Sequence, residues 1–350
     1  MNTEWFWPAA FCVDGDDIWF VYGAVCVLCK YSLALDKCYV IGEIPTNNTL
    51  QEGLFVKILK VGEKIFLIPC WAENIIVYDI KKNNFESIYL EGNGGKLKFW
   101  EAYQVRDKII CIPGSYSQIV IVNATDLNIE KKHDISKVIQ KDKIDYFNAS
   151  VLIDDDEILM VSPQSSRIYV YDIEKDMFDR YEIDTNAEGF NFLVYLKDKA
   201  ILCDDKRKGI YLYNLKTKKI EGEYWPENRK ILGLHEMAED RFIIDDYESS
   251  WFGVYDEMFN VQLEDESYLI KERGLYYSYL NGIGEKDGDA YIYFNNCDAS
   301  FNWIKKDKIC KKIRIAIEGE NRLMISKCIR KQNPVKESSL CTLNDFVNNN

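Results

Sequence analysis

The sequence predicts an all-β chain folded as a seven-bladed β-propeller of four-stranded antiparallel blades, followed by a short C-terminal extension. Three observations carry this. A hairpin rhythm, "ENIIVYDIKKNNFESIYL" from Glu73, returns as "RIYVYDIEKDMFDRYEI" from Arg167 and as "GIYLYNLKTKKIEGEYW" from Gly209. Aligning on the first apolar residue after each acidic, Gly or Lys turn gives Ile18, Ile65, Ile109, Ile158, Ala200, Phe242 and Ala290, spaced by 47, 44, 49, 42, 42 and 48 residues. In the next strand Tyr31, Tyr78, Val122, Tyr171, Tyr213, Tyr255 and Trp303 each follow their anchor by thirteen residues. Insertions are thus accepted only outside a fixed strand, loop and strand unit.

Each unit supplies four strands, lettered A to D from the axis outward. The A strand precedes the anchor, as in Phe55 to Val61, Phe190 to Leu196 and Tyr276 to Ile283. B begins at the anchor and C carries the aromatic. D follows a polar turn, as Phe85 to Leu90 follows Lys81-Lys82-Asn83-Asn84. Four strands per unit with a period in the forties is the signature of a propeller. Helical spacing over 10 or more residues is absent from the repeats, which argues against a helical solenoid. The blades fall near residues 5–45, 53–91, 98–135, 146–184, 190–225, 230–265 and 275–316, so residues 1–318 form the propeller and 319–350 the extension.

The repeats resemble those of Kelch-type propellers over roughly residues 5 to 316. The aromatic pair that brackets the outer hairpin in that family is matched by Tyr78 with Phe85 and Tyr171 with Phe178, and loosely by Tyr213 with Ile220. The family's double glycine is missing; the B strands end in Pro69-Cys70, Pro113-Gly114, Asp204-Asp205 or Asn295-Asn296. The resemblance implies the architecture. It carries no function with it, because Kelch propellers serve both as binding platforms and as enzymes.

Bulk composition narrows the partners. Hydrophobic residues make up 47% of the chain and charged residues 29%, enough for a core and no bias to disorder. A net charge of −13 is unsuited to binding a phosphate backbone, so no nucleic acid or anionic membrane partner is expected. The odd count of eleven cysteines and an N-terminus without a signal-peptide pattern point to a reducing cytoplasm. The uncharged, mostly apolar run Ile18 to Cys29 is too short to cross a bilayer as a helix. Three sequons, at Asn47, Asn123 and Asn148, matter only in a secreted chain.

A propeller's recognition surface is built from loops. The A–B and C–D turns lie on one face and the B–C loops and D–A connections on the other. Acidic A–B turns such as Asp14-Gly15-Asp16-Asp17 and Asp154-Asp155-Asp156-Glu157 do not match a calcium loop and read as ordinary turns. No metal or cofactor is expected. The B–C loops keep one length while changing content: "CWAEN", "GSYSQ", "PQSSR", "DKRKG", "YESSW" and "NCDAS" with one extra Asn. Constant frame with varied chemistry suits recognition. Candidate ligand-binding residues are Trp71, Trp100, Tyr116, Arg167, Arg207, Trp251 and Asn296. The aromatics among them offer large contact area to sugar rings or apolar side chains, and Arg167 and Arg207 offer bidentate forks for a carboxylate or phosphate. Trp5, Trp7, Phe99, Tyr146, Phe147, Tyr276 and Tyr277 add aromatics to the same face, each also able to serve simply as packing.

Catalytic residue types are scarce. Asp205 and Asp246 occupy corresponding places in adjacent blades and could act as an acid and base, although such residues also cap strand ends. Of the two histidines, His133 falls on an outer strand end and His235, in "ILGLHEM", on an inner strand facing the channel. Cys26 and Cys29 have CxxC spacing, but residues three apart on a strand point to opposite faces, so zinc is not expected. "EGNGGK" at Glu91 lacks the rest of a phosphate loop and reads as a connection. In the tail, Leu340, Leu343, Phe346 and Val347 would share one side of a short helix capped by Ser338 or Ser339, and Leu323 to Cys328 could add a strand at the ring closure. The expected function is a non-catalytic module presenting its B–C face to a protein segment or a glycan-like ligand. The alternative is a carbohydrate-active epimerase, mutarotase or lyase working in the channel through Asp205, Asp246, His235 and Arg167. A third possibility is a structural role in which the tail mediates assembly.

Overall fold

A strand buried on both faces reads as an unbroken apolar run, and the B strands do so: "KIFLIP", "KIICIP" and "KAILCD" are buried at every position after the first. The computed structural model describes residues 8–22, 26–46, 53–91, 97–225, 230–238, 241–246, 252–265, 283–287, 290–295, 300–305, 308–315 and 323–325. Its strands form seven four-stranded antiparallel sheets, each in simple sequence order.

Blade 1 holds β1 (Pro8–Asp14), β2 (Asp17–Tyr22), β3 (Val27–Ser32) and β4 (Lys37–Glu43). Blade 2 holds β5 (Phe55–Val61), β6 (Lys64–Pro69), β7 (Ile75–Asp79) and β8 (Asn84–Ile88). Blade 3 holds β9 (Phe99–Val105), β10 (Lys108–Pro113), β11 (Gln118–Asn123) and β12 (Ile129–Asp134), followed by helix α1 (Ser136–Asp142). Blade 4 holds β13 (Ala149–Ile153), β14 (Glu157–Ser162), β15 (Ser165–Asp172) and β16 (Met177–Glu182). Blade 5 holds β17 (Phe190–Leu196), β18 (Lys199–Asp204), β19 (Ile210–Asn214) and β20 (Lys219–Tyr224). Blade 6 holds β21 (Ile231–Ala238), β22 (Arg241–Asp246), β23 (Phe252–Asp256) and β24 (Val261–Asp265). Blade 7 holds β25 (Ile283–Asp287), β26 (Ala290–Asn295), β27 (Ser300–Lys305) and β28 (Lys308–Ile313).

The first strand of each blade is innermost: β1, β5, β9, β13, β17, β21 and β25 touch in that cyclic order, and β25 returns to β1. The core is a set of wedges between blades rather than one mass. Alternation along β2 sends Ile18, Phe20 and Tyr22 into the wedge shared with blade 7, and Trp19 and Val21 into the wedge shared with blade 2. Cys26 and Cys29 fall into these two different wedges, on opposite sides of one blade.

The C strands and C–D turns repeat one local device. Tyr31, Tyr78 and Tyr171 donate their hydroxyls to Asp36, Asn83 and Asp176, five residues on. Those acceptors have left-handed φ of 50, 51 and 55°, a conformation that Asn and Asp tolerate best among side-chain-bearing residues. In blade 5 the same place is Lys218, φ 55°, and the buried Tyr213 hydroxyl has no hydrogen-bond partner. The aromatic pairs read as Kelch-like are cross-strand neighbours: Tyr78 faces Phe85, Tyr171 faces Phe178 and Tyr213 faces Ile220.

Two features differ from the sequence reading. Helix α1 interrupts the connection from blade 3 to blade 4. It is too short to leave a periodic pattern, yet Val138 and Ile139 pack with Ile135, Ile144 and Phe147 over the wedge between those blades. At the ring closure, the described part of the stretch expected to add a strand, residues 323–325, is not extended, and the remainder to Cys328 lies outside the described residues. Residues 323–325 form a helical turn, and Ile325 is buried beside Ile313 and Ile315 in the wedge between blades 7 and 1. Phe301 meets Phe11 edge-on there at 5.1 Å. An apolar seam therefore joins first and last blades, each with four strands of its own. The proposed tail helix around Leu340, Leu343, Phe346 and Val347 lies outside the described residues.

Candidate functional site

Because every blade runs A, B, C, D in antiparallel order, the B–C loops and D–A connections share one face. Near this face five of the inner strands carry a bulge at the same height, at residues 9, 56, 100, 191 and 232. Bulges free one residue from the ladder and re-aim it. Trp100 and Asn191 are such residues. Asn191 is buried and used internally: its amide donates to the backbone carbonyls of Asp204 and Asp205, and its own carbonyl accepts from Asn148 across the seam between blades 4 and 5.

The exposed large aromatics of the described residues all sit on this face. Trp71, 39% exposed, stands on the B–C loop of blade 2, where Leu54 carbonyl oxygen gathers the N–H groups of Cys70, Trp71 and Ala72. Tyr89, 76% exposed, follows β8 at the outer edge, and Trp225, 51% exposed, follows β20. Trp225 rests on Gly209, where a Cβ would come within 2.6 Å of its ring, and meets Tyr211 edge-on. Tyr116 is spent on structure instead, donating to Glu91 carbonyl oxygen at 2.7 Å and packing edge-on against Phe99.

The two arginines proposed as forks have different fates. Arg167 is held by Glu182 at 2.5 Å and faces Asp142 at 3.7 Å. Asp142, its side chain 3% exposed, also binds Arg180 and the Tyr169 hydroxyl, which fastens α1 to blade 4. Arg207 has no carboxylate within ion-pair distance among the described residues, and its guanidinium stacks 5.4 Å from the Phe192 ring. Its loop is fixed by Arg207 N–H to Asp204 carbonyl oxygen, Lys208 N–H to Asp204 Oδ1, and Ile231 N–H to Arg207 carbonyl oxygen. Asp205 adjoins it, with a buried Oδ1 that has no hydrogen-bond partner. Asp246 ends β22 opposite Ile231, its side chain outside the described residues. Trp251, Asn296, Trp5, Trp7, Tyr276 and Tyr277 lie wholly outside them.

Below this mouth the channel is polar. Lys57 of β5, Glu101 of β9 and Phe192 of β17 share one height, since each pairs with the residue three beyond its blade's anchor. Lys57 Nζ lies 3.0 Å from Glu101 Oε1. Deeper, Tyr103 and Ser150 join hydroxyls at 3.0 Å between blades 3 and 4. His235 stands on β21 at the height of Tyr103. Burial pushes its pKa down to about 4, helped by the Lys57 charge across the channel. Burial of the carboxyl among its neighbours pushes the adjacent Glu236 up to about 7, although the residue as a whole is exposed, which limits the effect. Tyr103 is raised well above its usual range by burial and by the Glu101 charge. Lys57, Glu101, Tyr103, Ser150 and Glu236 escaped the sequence reading. The signal was there: polar residues inside otherwise apolar inner strands, "FVKILKV" and "FWEAYQV", at one place in the repeat frame.

His133, by contrast, works on the outer rim: its Nδ1 is 2.9 Å from Asp176 Oδ1, bridging blades 3 and 4. An open groove of about 500 Å3 lined by Tyr89, Glu91, Ile129, Glu130, Lys131 and Lys132 also lies on that rim, away from the channel. Its charges are neutralised internally, Lys131 by Asp176, Lys132 by Glu91 and Glu130 by Lys108. Among the described residues no group of three or more His, Cys, Asp or Glu side chains is placed to hold a metal ion.

No protein-family model matches the chain, and none of the curated proteins compared with it matches. Solved structures do. Virginiamycin B lyase from Staphylococcus aureus, solved as the selenomethionine protein and as a catalytically inactive histidine-to-alanine variant with quinupristin, superposes with a TM-score of 0.64 at 14% identity. The match covers 85% of this chain and 94% of that one. A chain of the mitotic checkpoint complex gives 0.60 at 7% identity, covering 88% and 94%. Hsv2 from Kluyveromyces lactis gives 0.56 at 10%, covering 88% and 99%. The chain is a seven-bladed β-propeller. At these identities the likeness extends to the fold alone.

Proposed function

We propose that this propeller is a binding module whose B–C face, with the channel opening at its centre, receives a glycan-like ligand or a protein segment. One observation carries the reading: Trp71, Tyr89 and Trp225, the exposed large aromatics of the described residues, all stand on that face, whereas the exposed hydrophobics of the C–D turns, Leu35, Met177 and Met258, are aliphatic. Exposed aromatic rings cost hydration and bring large contact area at small entropic cost, which suits a site better than a fold. The cross-strand aromatic pairs support a Kelch-type repeat, and the seven cysteines whose side chains are described, all thiols, support a reducing cytoplasmic setting. Glycan and peptide arrays probed with the wild type and with Trp71→Ala/Trp225→Ala test this. Binding by the wild type that the double variant loses is the expected result; equal binding by both would sink the reading.

A second reading, a channel enzyme of the lyase or epimerase kind, is favoured by Tyr103, Ser150, His235 and Glu236 lying below the mouth, with the Glu236 carboxyl raised to about 7, where it can exchange a proton near neutral pH. A structural neighbour is a lyase that a histidine-to-alanine change inactivates. Turnover of an array-identified ligand, abolished by His235→Ala while binding persists, would select this reading over the first.

A further inference from the structure

We infer that the mouth binds an anionic saccharide, reading its carboxylate or phosphate with Arg207 and Lys98; this rests on the aromatic-face reading above. Lys98 heads the inner strand of blade 3, its N–H bonded to Cys70 carbonyl oxygen at 2.8 Å and its own carbonyl accepting from Gly114. The residue is 3% exposed, and no carboxylate of the described residues lies within ion-pair distance of its ammonium. A buried cation without a counter-charge is costly to keep in a fold. Several other basic side chains of this face and channel have acidic partners: Lys57 has Glu101, Arg167 and Arg180 have Asp142, and Lys206 approaches Glu188. Lys98 and Arg207 stand apart from these on either side of blade 4; Lys208, also without a carboxylate partner among the described residues, is exposed to solvent, whereas Lys98 is buried and Arg207 half-buried.

The chemistry between them is suited to a sugar acid. Arg207 is pre-aligned on Phe192 and its loop is tied to blades 5 and 6, so its fork is presented without much rotamer freedom to lose. Asp205 Oδ1 beside it is a buried acceptor with no hydrogen bond, which a ligand hydroxyl would satisfy. Trp225 offers a ring face one loop away. A bare polyanion would be repelled by a chain of net charge −13, whereas one or two charges on a hydroxyl-rich ring match two cations, an orphan acceptor and an aromatic platform.

Calorimetric titration with a glucuronate-terminated oligosaccharide, a glucose phosphate and neutral glucose oligosaccharides tests this, using wild type, Arg207→Ala, Lys98→Met and Trp225→Ala proteins. The expected result is at least tenfold tighter binding of an anionic sugar than of its neutral counterpart, and at least a tenfold loss in Arg207→Ala and in Lys98→Met. Lys98→Met should melt no lower than the wild type, since it removes a charge with no partner; that readout separates a ligand-binding lysine from a structural one. The carboxylate and phosphate probes distinguish the two anions. Equal affinity for neutral and anionic sugars, or unchanged binding in both cation variants, would overturn the inference, and a loss confined to Trp225→Ala would then leave the aromatic-face reading standing. Absence of any saccharide binding, or capture of a peptide carboxylate in preference to sugars, would overturn it as well.

Discussion

The two faces of the ring handle polar and aromatic side chains in opposite ways. On the C–D turn face, the hydroxyls of Tyr31, Tyr78 and Tyr171 are bonded to the acid or amide five residues on, and Asp176 alone gathers Lys131, His133 and Tyr171. On the B–C face, Trp71, Tyr89 and Trp225 are exposed, and among the described residues Arg207 and Lys98 have no carboxylate partner and the Asp205 Oδ1 no hydrogen bond. The first face is finished by the chain itself but for the Tyr213 hydroxyl. The second leaves interactions open while its backbone is fixed, which is how a recognition site differs from a merely solvated surface.

The largest expected effect comes from breaking that fixed frame. A Cβ on Gly189 would lie 2.3 Å from the Pro163 backbone in the loop of the adjoining blade, so Gly189→Ala should cost about 3 kcal/mol in urea unfolding and abolish ligand binding together. Next is Asp142→Ala, which leaves Arg167, Arg180 and the Tyr169 hydroxyl without their shared acceptor. Because both arginines are partly solvated, the cost should be about 2–3 kcal/mol rather than that of a fully buried pair. A loss below ~1 kcal/mol would mean that α1 is held by its apolar face alone.

The channel makes a pH prediction. His235 has a folded pKa of about 4, below the unfolded value of 6.5, so its contribution is fully present above pH 6.5 and is lost as pH falls toward 4. Glu236, raised from 4.5 to about 7, works the other way: what it contributes is present below pH 4.5 and lost as pH rises through 7. His235→Gln should therefore flatten the acid side of the stability curve, and Glu236→Gln the neutral side, both read as urea midpoints across pH 4 to 8. The smallest effect lies on the finished face. Lys218→Asn gives Tyr213 the acceptor its counterparts have, at a φ that asparagine tolerates, and should stabilise by about 1 kcal/mol, less what its contact with the Tyr181 ring contributed.

The fold was legible because the repeat frame is rigid. The B strand and the C-strand aromatic keep a fixed interval because both are buried between blades and neither tolerates a slip in register. Helix α1 left no trace, since two turns with Val138 and Ile139 as the inward pair are too short to show a period. At the closure the alternation of "RLMISKC" reads as a strand, whereas its described part, residues 323–325, is a helical turn that buries Ile325 in the seam. At the site, loop composition pointed to Trp71 and Arg207 but could not separate Arg207 from Arg167. That distinction depends on Asp142, which the insertion before blade 4 brings across the fold. Lys57, Glu101 and Lys98 were missed because attention to loops passed over polar residues at the heads of inner strands.

Ligands are expected to meet the B–C face and not its opposite. The most direct measurement compares two double variants in one binding assay: Trp71→Ala/Trp225→Ala on the B–C face and Leu35→Ala/Met258→Ala on the C–D turns, each checked for an unchanged unfolding midpoint. The account predicts at least a tenfold loss for the first and none for the second. The reverse, or equal losses, would contradict it.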